Sequence, residues 1–129
     1  MIVVDASAVL EVLLQTPDAF RVGRRLFASG ETLHAPHLLD VEIAQVLRRY
    51  ARSGAISTER GAEALADLND LPLSRYPHSV LLPRIWELRH NLTAYDAVYL
   101  ALAEALDAPL VTRDRALALA GAKVRVELV

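Results

Sequence analysis

The chain has 129 residues, of which 53% are hydrophobic and 23% charged. That is enough apolar material for one domain with a sizeable core, and too much for an extended disordered protein. Cysteine is absent, which excludes disulfide frameworks and thiolate metal sites and fits a reducing compartment. The net charge is −2, against a strongly basic nucleic-acid binder. Setting four acids aside for a cation would leave the remaining charges net positive, so contact with a phosphate backbone stays open.

The opening Met1-Ile2-Val3-Val4-Asp5 has neither the basic region nor the long apolar stretch of a signal peptide. No apolar run approaches the roughly 20 residues of a membrane span. These features predict a soluble cytoplasmic protein that has no membrane partner. In chain order, Ile2-Val3-Val4 reads as a short buried strand, followed by a helix from about Ala6 to Leu14 that Pro17-Asp18 breaks. A second helix, about Asp18 to Ala28, is expected to turn Phe20, Leu26 and Phe27 inward, with Gly30 ending it. Thr32 to Ala35 is another short strand, closed by Pro36.

The segment from His37 to Arg52 is the clearest helix, because Leu39, Ile43, Val46, Leu47 and Tyr50 recur at helical spacing. Gly54 is its stop. Ser57-Thr58 caps a further helix carrying Ala62, Leu65 and Leu68 on one face and ending before Pro72. Leu73 to Tyr76 reads as a strand, Val80 to His90 as a helix, and Thr93 to Leu106 as a nearly all-apolar, buried helix. Pro109 to Thr112 is a second buried strand. A short helix from Asp114 to Ala120 follows, stopped by Gly121, and Val124 to Val129 forms a last strand or edge. Strands alternating with helices predict an α/β fold with a parallel sheet covered on both faces. The functional crevice of such a sheet lies at the carboxyl ends of its strands.

Four acids sit where that edge should be. Asp5 directly follows the first strand, and Asp114 follows Leu110-Val111-Thr112. Glu42 flanks the buried stripe of the clearest helix, and Asp96 lies in the first turn of the apolar one, where a carboxylate needs a partner. Each has a plainer reading. Asp5 and Asp114 suit helix N-caps, Thr93-Ala94-Tyr95-Asp96 resembles a capping box, and Glu42 could pair with Arg48 or Arg49. Capping leaves oxygens free, so it does not exclude a second role. Two carboxylates about 4 Å apart repel by about 4 kcal/mol at an effective dielectric near 20. A cluster of four therefore calls for cations, and hard oxygen donors select Mg²⁺ or Mn²⁺. The histidines, His34, His37, His78 and His90, show no ligand spacing.

Val3-Val4-Asp5-Ala6-Ser7-Ala8-Val9 resembles the opening motif of PIN-domain nucleases, especially the VapC toxins of bacterial toxin–antitoxin pairs. Pro36 to Ile43, with Glu42, resembles the second motif. Thr93 to Ala103, with Asp96, resembles the third and most specific, and Thr112 to Leu117, with Asp114, the fourth. The motifs occur in the family's order from Val3 to Leu117. The resemblance implies a single PIN domain over residues 1–129, folded as a three-layer α/β/α sandwich with a mostly parallel central sheet. It also implies a Mg²⁺-dependent endoribonuclease that acts as a toxin. Asp5, Glu42, Asp96 and Asp114 would be its metal ligands, with Ser7 and Thr112 supporting them by hydrogen bonds. A cognate VapB-like antitoxin and a homodimer are the implied partners, besides the RNA substrate. Gln45 stands where many relatives carry Asn or Ser, which bears on how Glu42 is held.

Basic clusters at Arg21, Arg24 and Arg25, at Arg48, Arg49 and Arg52, and at Arg84, Arg89 and His90 are candidate phosphate contacts or solvated helix faces. Aromatics are 5% of the chain, too few for a broad base-stacking platform. A phosphatase using Asp5 as nucleophile would want a second acid where Ser7 stands. A catalytically silent binding module of the same fold, and a nuclease acting on DNA, remain alternatives.

Overall fold

Short β-branched runs build two of the strands, Ile2–Val4 and Leu110–Thr112, and their full burial explains why they are nearly all apolar. A computed structural model describes residues 1–119 and 123–129. Its elements run β1 (Ile2–Val4), α1 (Ala6–Leu13), α2 (Ala19–Leu26), β2 (Leu33–Pro36), α3 (Leu38–Ser53), α4 (Thr58–Asp70) and β3 (Leu73–Tyr76). A 3₁₀ turn (Ser79–Leu81) leads to α5 (Leu82–Glu87), α6 (Ala94–Leu106), β4 (Leu110–Thr112), α7 (Arg115–Ala118) and β5 (Val126–Leu128). Among the described residues the strands form one five-stranded sheet in the order β3-β2-β1-β4-β5, with every neighbouring pair parallel. No helix among the described residues is long and apolar enough to cross a membrane.

The order dictates the layers. The chain steps outward from β1 to β2 to β3, then returns across the sheet to β4 on the other side of β1. Right-handed crossovers therefore place α1 to α4 on one face and α5 and α6 on the other. Consistent with this, α1 packs against α2, α3 and α4, whereas α6 packs with α5 and lies across β1, β2 and β4. This is the three-layer α/β/α arrangement. The winding direction reverses between β1 and β4, so the connections leaving those two strands diverge and open a crevice at their carboxyl ends.

The core runs through both layers. Residues Ala97 to Ala103 of α6 are all buried, as are Leu39, Ile43 and Leu47 of α3. Ile43 is fully buried and belongs to the stripe by which α3 meets the core. Ile43→Ala is expected to cost about 2–5 kcal/mol through lost burial and a residual cavity. A urea melt measures this, and a cost well below that range would mean that α3 is not anchored through this stripe.

Several expectations about faces and ends are corrected. Phe20 is 80% exposed and Phe27 is also exposed. The buried side chains of α2 are Val22 and Leu26, an i, i+4 pair that joins the core and leaves both phenylalanines outside it. Tyr50 of α3 is 40% exposed. On α4 the inward face is Gly61, Ala64 and Leu68, one step round from the expected stripe, with Ala62 and Leu65 exposed. The expected helix from Val80 to His90 is a 3₁₀ turn and a helix that stops at Glu87. Pro36 lies within β2, and Asp114 caps α7 instead of starting it. The expected end of that helix at Ala120 and its stop at Gly121 lie outside the described residues.

Candidate active site

Asp5 is the residue at which β1 turns into α1. Its extended backbone makes it the helix N-cap, and its Oδ1 accepts from the Ala8 amide at 3.2 Å. A carboxylate that is 7% exposed needs more than one such bond, and two hydroxyls supply them. Ser7 Oγ donates to Oδ1 at 2.7 Å, and Thr112 Oγ1, at the end of β4, donates to Oδ2. Each hydroxyl also accepts a backbone N–H from the β4–α7 connection. Ser7 takes that of Arg113 and Thr112 that of Asp114, both at 2.9 Å. The exits of β1 and β4 are thus stitched together through Asp5.

Asp114 caps α7, accepting from the Ala116 amide at 2.9 Å. Asp96 sits in the first turn of α6, whose start is set by Thr93 Oγ1 accepting the Asp96 amide. Glu42 projects from α3, and its Oε1 accepts the hydroxyl hydrogen of Tyr99. No salt bridge from Glu42 to Arg48 or Arg49 exists among the described residues. Gln45 is exposed, so the tyrosine orients this glutamate.

All four acids line a single cleft of about 350 Å³. Burial pushes the carboxyls of Asp5, Glu42 and Asp96 above the ordinary carboxylate range, and mutual repulsion adds to each. Asp114 acts on Asp5 and Asp96, while Asp5 and Asp96 act on Glu42. The hydrogen bonds from Thr112, Ser7 and Ala8 pull Asp5 back, and that from Tyr99 pulls Glu42 back. Burial and then Glu42 push the Tyr99 hydroxyl well up, so it remains a donor.

The donor set is all oxygen and anionic, which suits a hard divalent cation. Among the described residues no three acids or histidines converge tightly enough to encircle an ion as they stand. The four acids ring the cleft instead of a point. That arrangement still fits Mg²⁺, which keeps several waters and takes only one or two carboxylates directly.

The raised carboxyls give a signed prediction. Asp5, Glu42 and Asp96 hold their protons to higher pH folded than unfolded. Their contribution to stability is therefore greatest below the unfolded carboxylate value, about 4, and is lost as pH rises through their folded values. In chelator, replacing Glu42 by Gln should remove part of that loss, so the variant gains stability relative to the parent as pH rises from about 4 to about 7. Thermal melts across pH read this directly. Parallel curves would show that neither burial nor the neighbouring acids hold the Glu42 carboxyl up in the folded chain.

Sequence reasoning gave no cleft role to Tyr99, Arg113 or Tyr50. Tyr99 was hidden in an apolar helix, although its place three residues after Asp96 sets it near the same face. Arg113 lines the cleft but is held by Glu11 at 3.2 Å and Asp18 at 2.9 Å. Tyr50, read as core, is on its wall. A second cleft of about 410 Å³ lies beside Asp40 and Arg75, which neutralise each other in a two-bond pair. It holds none of the four acids.

The PIN domain family model matches residues 2–123. The chain is 52% identical over 114 residues to VapC ribonuclease Mb0985 of Mycobacterium bovis, covering 88% of this chain and 86% of that one. It is 46% identical over 129 residues to Ribonuclease VapC1 of Mycobacterium tuberculosis, covering 98% and 96%. Among solved structures, VapBC2 from Rickettsia felis, bound to a DNA fragment from its promoter, superposes with a TM-score of 0.71. That match has 16% identity over 98% of both chains, a likeness of fold alone. With nearly its whole length matched by the family model, the chain belongs to the PIN-domain family, in the branch of the VapC ribonucleases.

Proposed function

We propose that this chain is a Mg²⁺-dependent endoribonuclease, with Mn²⁺ as a substitute, and the toxin of a type II toxin–antitoxin pair. The observation that carries the reading is the convergence of Asp5, Glu42, Asp96 and Asp114, from four separated segments, on one cleft at the sheet's switch point. The relatives' names as ribonucleases support the choice of RNA.

The chain's own residues have distinct tasks in this reading. Asp5, fixed by Ser7, Thr112 and the Ala8 amide, is the rigid anchor of the site. Glu42 is aimed by Tyr99. Asp96 and Asp114 complete the ring from the other side, each at the start of a helix. Magnesium, when bound, would supply electrophilic assistance at the phosphodiester and activate water for attack. Without a cation the same ring repels a phosphate, so both binding and cleavage would depend on metal.

A VapB-like antitoxin and a second copy of the chain are the proposed protein partners. Large apolar side chains left in solvent, including Phe20, Val41, Val80 and Trp86, support at least one such interface. An antitoxin arginine could meet the carboxylates with two bonds at once.

The test is incubation of the purified chain with pooled structured cellular RNAs in Mg²⁺, in Mn²⁺ and in chelator, with single-stranded DNA alongside. Discrete RNA fragments that appear only with metal support the reading. Cleavage of DNA alone, or RNA cleavage undiminished by chelator, defeats it.

A further inference from the structure

The wall of the cleft beyond the acids belongs to the second half of α3. Glu42, Val46, Arg49 and Tyr50 all line it, at i, i+4, i+7 and i+8, which is one face of a helix. Arg49 stands about 10 Å along the axis from Glu42 at about 1.5 Å rise per residue, a distance on the scale of a nucleotide or two. It is exposed and makes no salt bridge among the described residues. The other cleft arginine, Arg113, is held by two acids. Tyr50, next to Arg49, is 40% exposed.

The end of α3 is firm. Gly54 adopts a left-handed cap with φ 77°, and the Tyr50 carbonyl accepts from the Ala55 amide at 2.9 Å and the Ser53 hydroxyl at 3.1 Å. A cleft ringed by carboxylates repels a phosphate backbone, so a strand entering it needs a cation set back from the acids.

We propose that Arg49 and Tyr50 hold the RNA strand beside the cleavage point, Arg49 pairing with a neighbouring phosphate and Tyr50 stacking on one unpaired base. The inference rests on the ribonuclease reading of the same cleft and adds to it the two residues that hold the strand. One tyrosine offers one stacking place, so it selects an unpaired base without reading a long sequence. Both residues act in binding and neither touches the reacting atoms.

The test uses the full chain carrying Asp96→Asn in Mg²⁺, so that the strand stays intact. The probe is a fluorescein-labelled mixed-sequence single-stranded RNA of about 12 nucleotides, read by anisotropy. Arg49→Gln should weaken binding about tenfold and lower the slope of log K against log salt by about 0.7–1, one phosphate contact. Arg49→Lys should keep the slope. Tyr50→Leu should weaken binding about tenfold with the slope unchanged, and Tyr50→Phe should restore it. No binding by the parent, an unchanged slope in Arg49→Gln, or unchanged affinity in Tyr50→Leu each overturns the proposal. Cleavage by the unsubstituted chain is scored separately. If that chain cuts RNA while these variants bind like the parent, this inference alone fails. If it cuts nothing while the binding pattern holds, the nuclease reading fails and the strand site stands.

Discussion

Asp96→Asn should lower RNA cleavage in Mg²⁺ by about 10³-fold while leaving the fold intact. The substitution keeps shape and volume and removes one negative charge from the ring. A cation at such a site contributes several kcal/mol to the transition state, and each 1.4 kcal/mol is about a factor of ten. Weakening its hold therefore costs orders of magnitude, whereas a purely structural acid would cost little. Stability should move the other way. Burial and the charge of Asp114 both disfavour ionised Asp96, so neutralising it relieves repulsion at neutral pH, and the melting temperature without metal should hold or rise. The measurement pairs initial cleavage rates on one mapped RNA with thermal melts in chelator. A variant as active as the parent would remove Asp96 from the site. A variant that is inactive because it has unfolded would show it in the melt.

How much of this could be read from the residues alone follows from what kind of signal each feature leaves. Asp5 and Asp114 were legible because each ends a short β-branched run, and chain order alone then puts both at one sheet edge. The start of α4 was legible in Ser57, whose side chain accepts from the Arg60 amide at 3.0 Å. Which side of a helix faces inward was less legible. Phe20 and Phe27 are the largest apolar side chains in and beside α2, yet the helix buries Val22 and Leu26 instead. Hydrophobicity marks a stripe, but the partner's position selects among stripes. The α4 stripe went wrong by one residue in the same way, with Gly61 and Ala64 turned inward and Leu65 left 41% exposed. Tyr99 left only its spacing from Asp96 as a signal, because its ring is core while its hydroxyl serves Glu42, and a periodicity counts the whole side chain once. The pairing of Arg113 with Asp18 across 95 positions depends on the fold bringing β4 to the α1–α2 corner, which no local pattern states.

The acids themselves are less informative about chemistry than the groups that hold them, and Thr112 is where that can be tested. Its single hydroxyl donates to Asp5 and accepts from the Asp114 amide at 2.9 Å, so it fixes two of the four acids at once. Thr112→Val keeps the shape, and Thr112 is fully buried, so little water can replace what is lost. Cleavage should fall about 10–100-fold, the usual cost of losing a group that orients a ligand. Stability should fall by about 1–3 kcal/mol, because a buried carboxylate and a backbone N–H each lose a partner. The Thr112 bond holds the Asp5 carboxyl down against burial, so removing it raises that carboxyl further, and Asp5 becomes ionised only at higher pH. The acid limb of the pH–rate profile should therefore shift upward in Thr112→Val and return in Thr112→Ser. A rate loss with an unmoved acid limb would mean that Thr112 matters only for folding. A shifted limb rescued by serine would show that the hydroxyl sets the charge state of Asp5, and with it the pH at which the cleft can hold a cation.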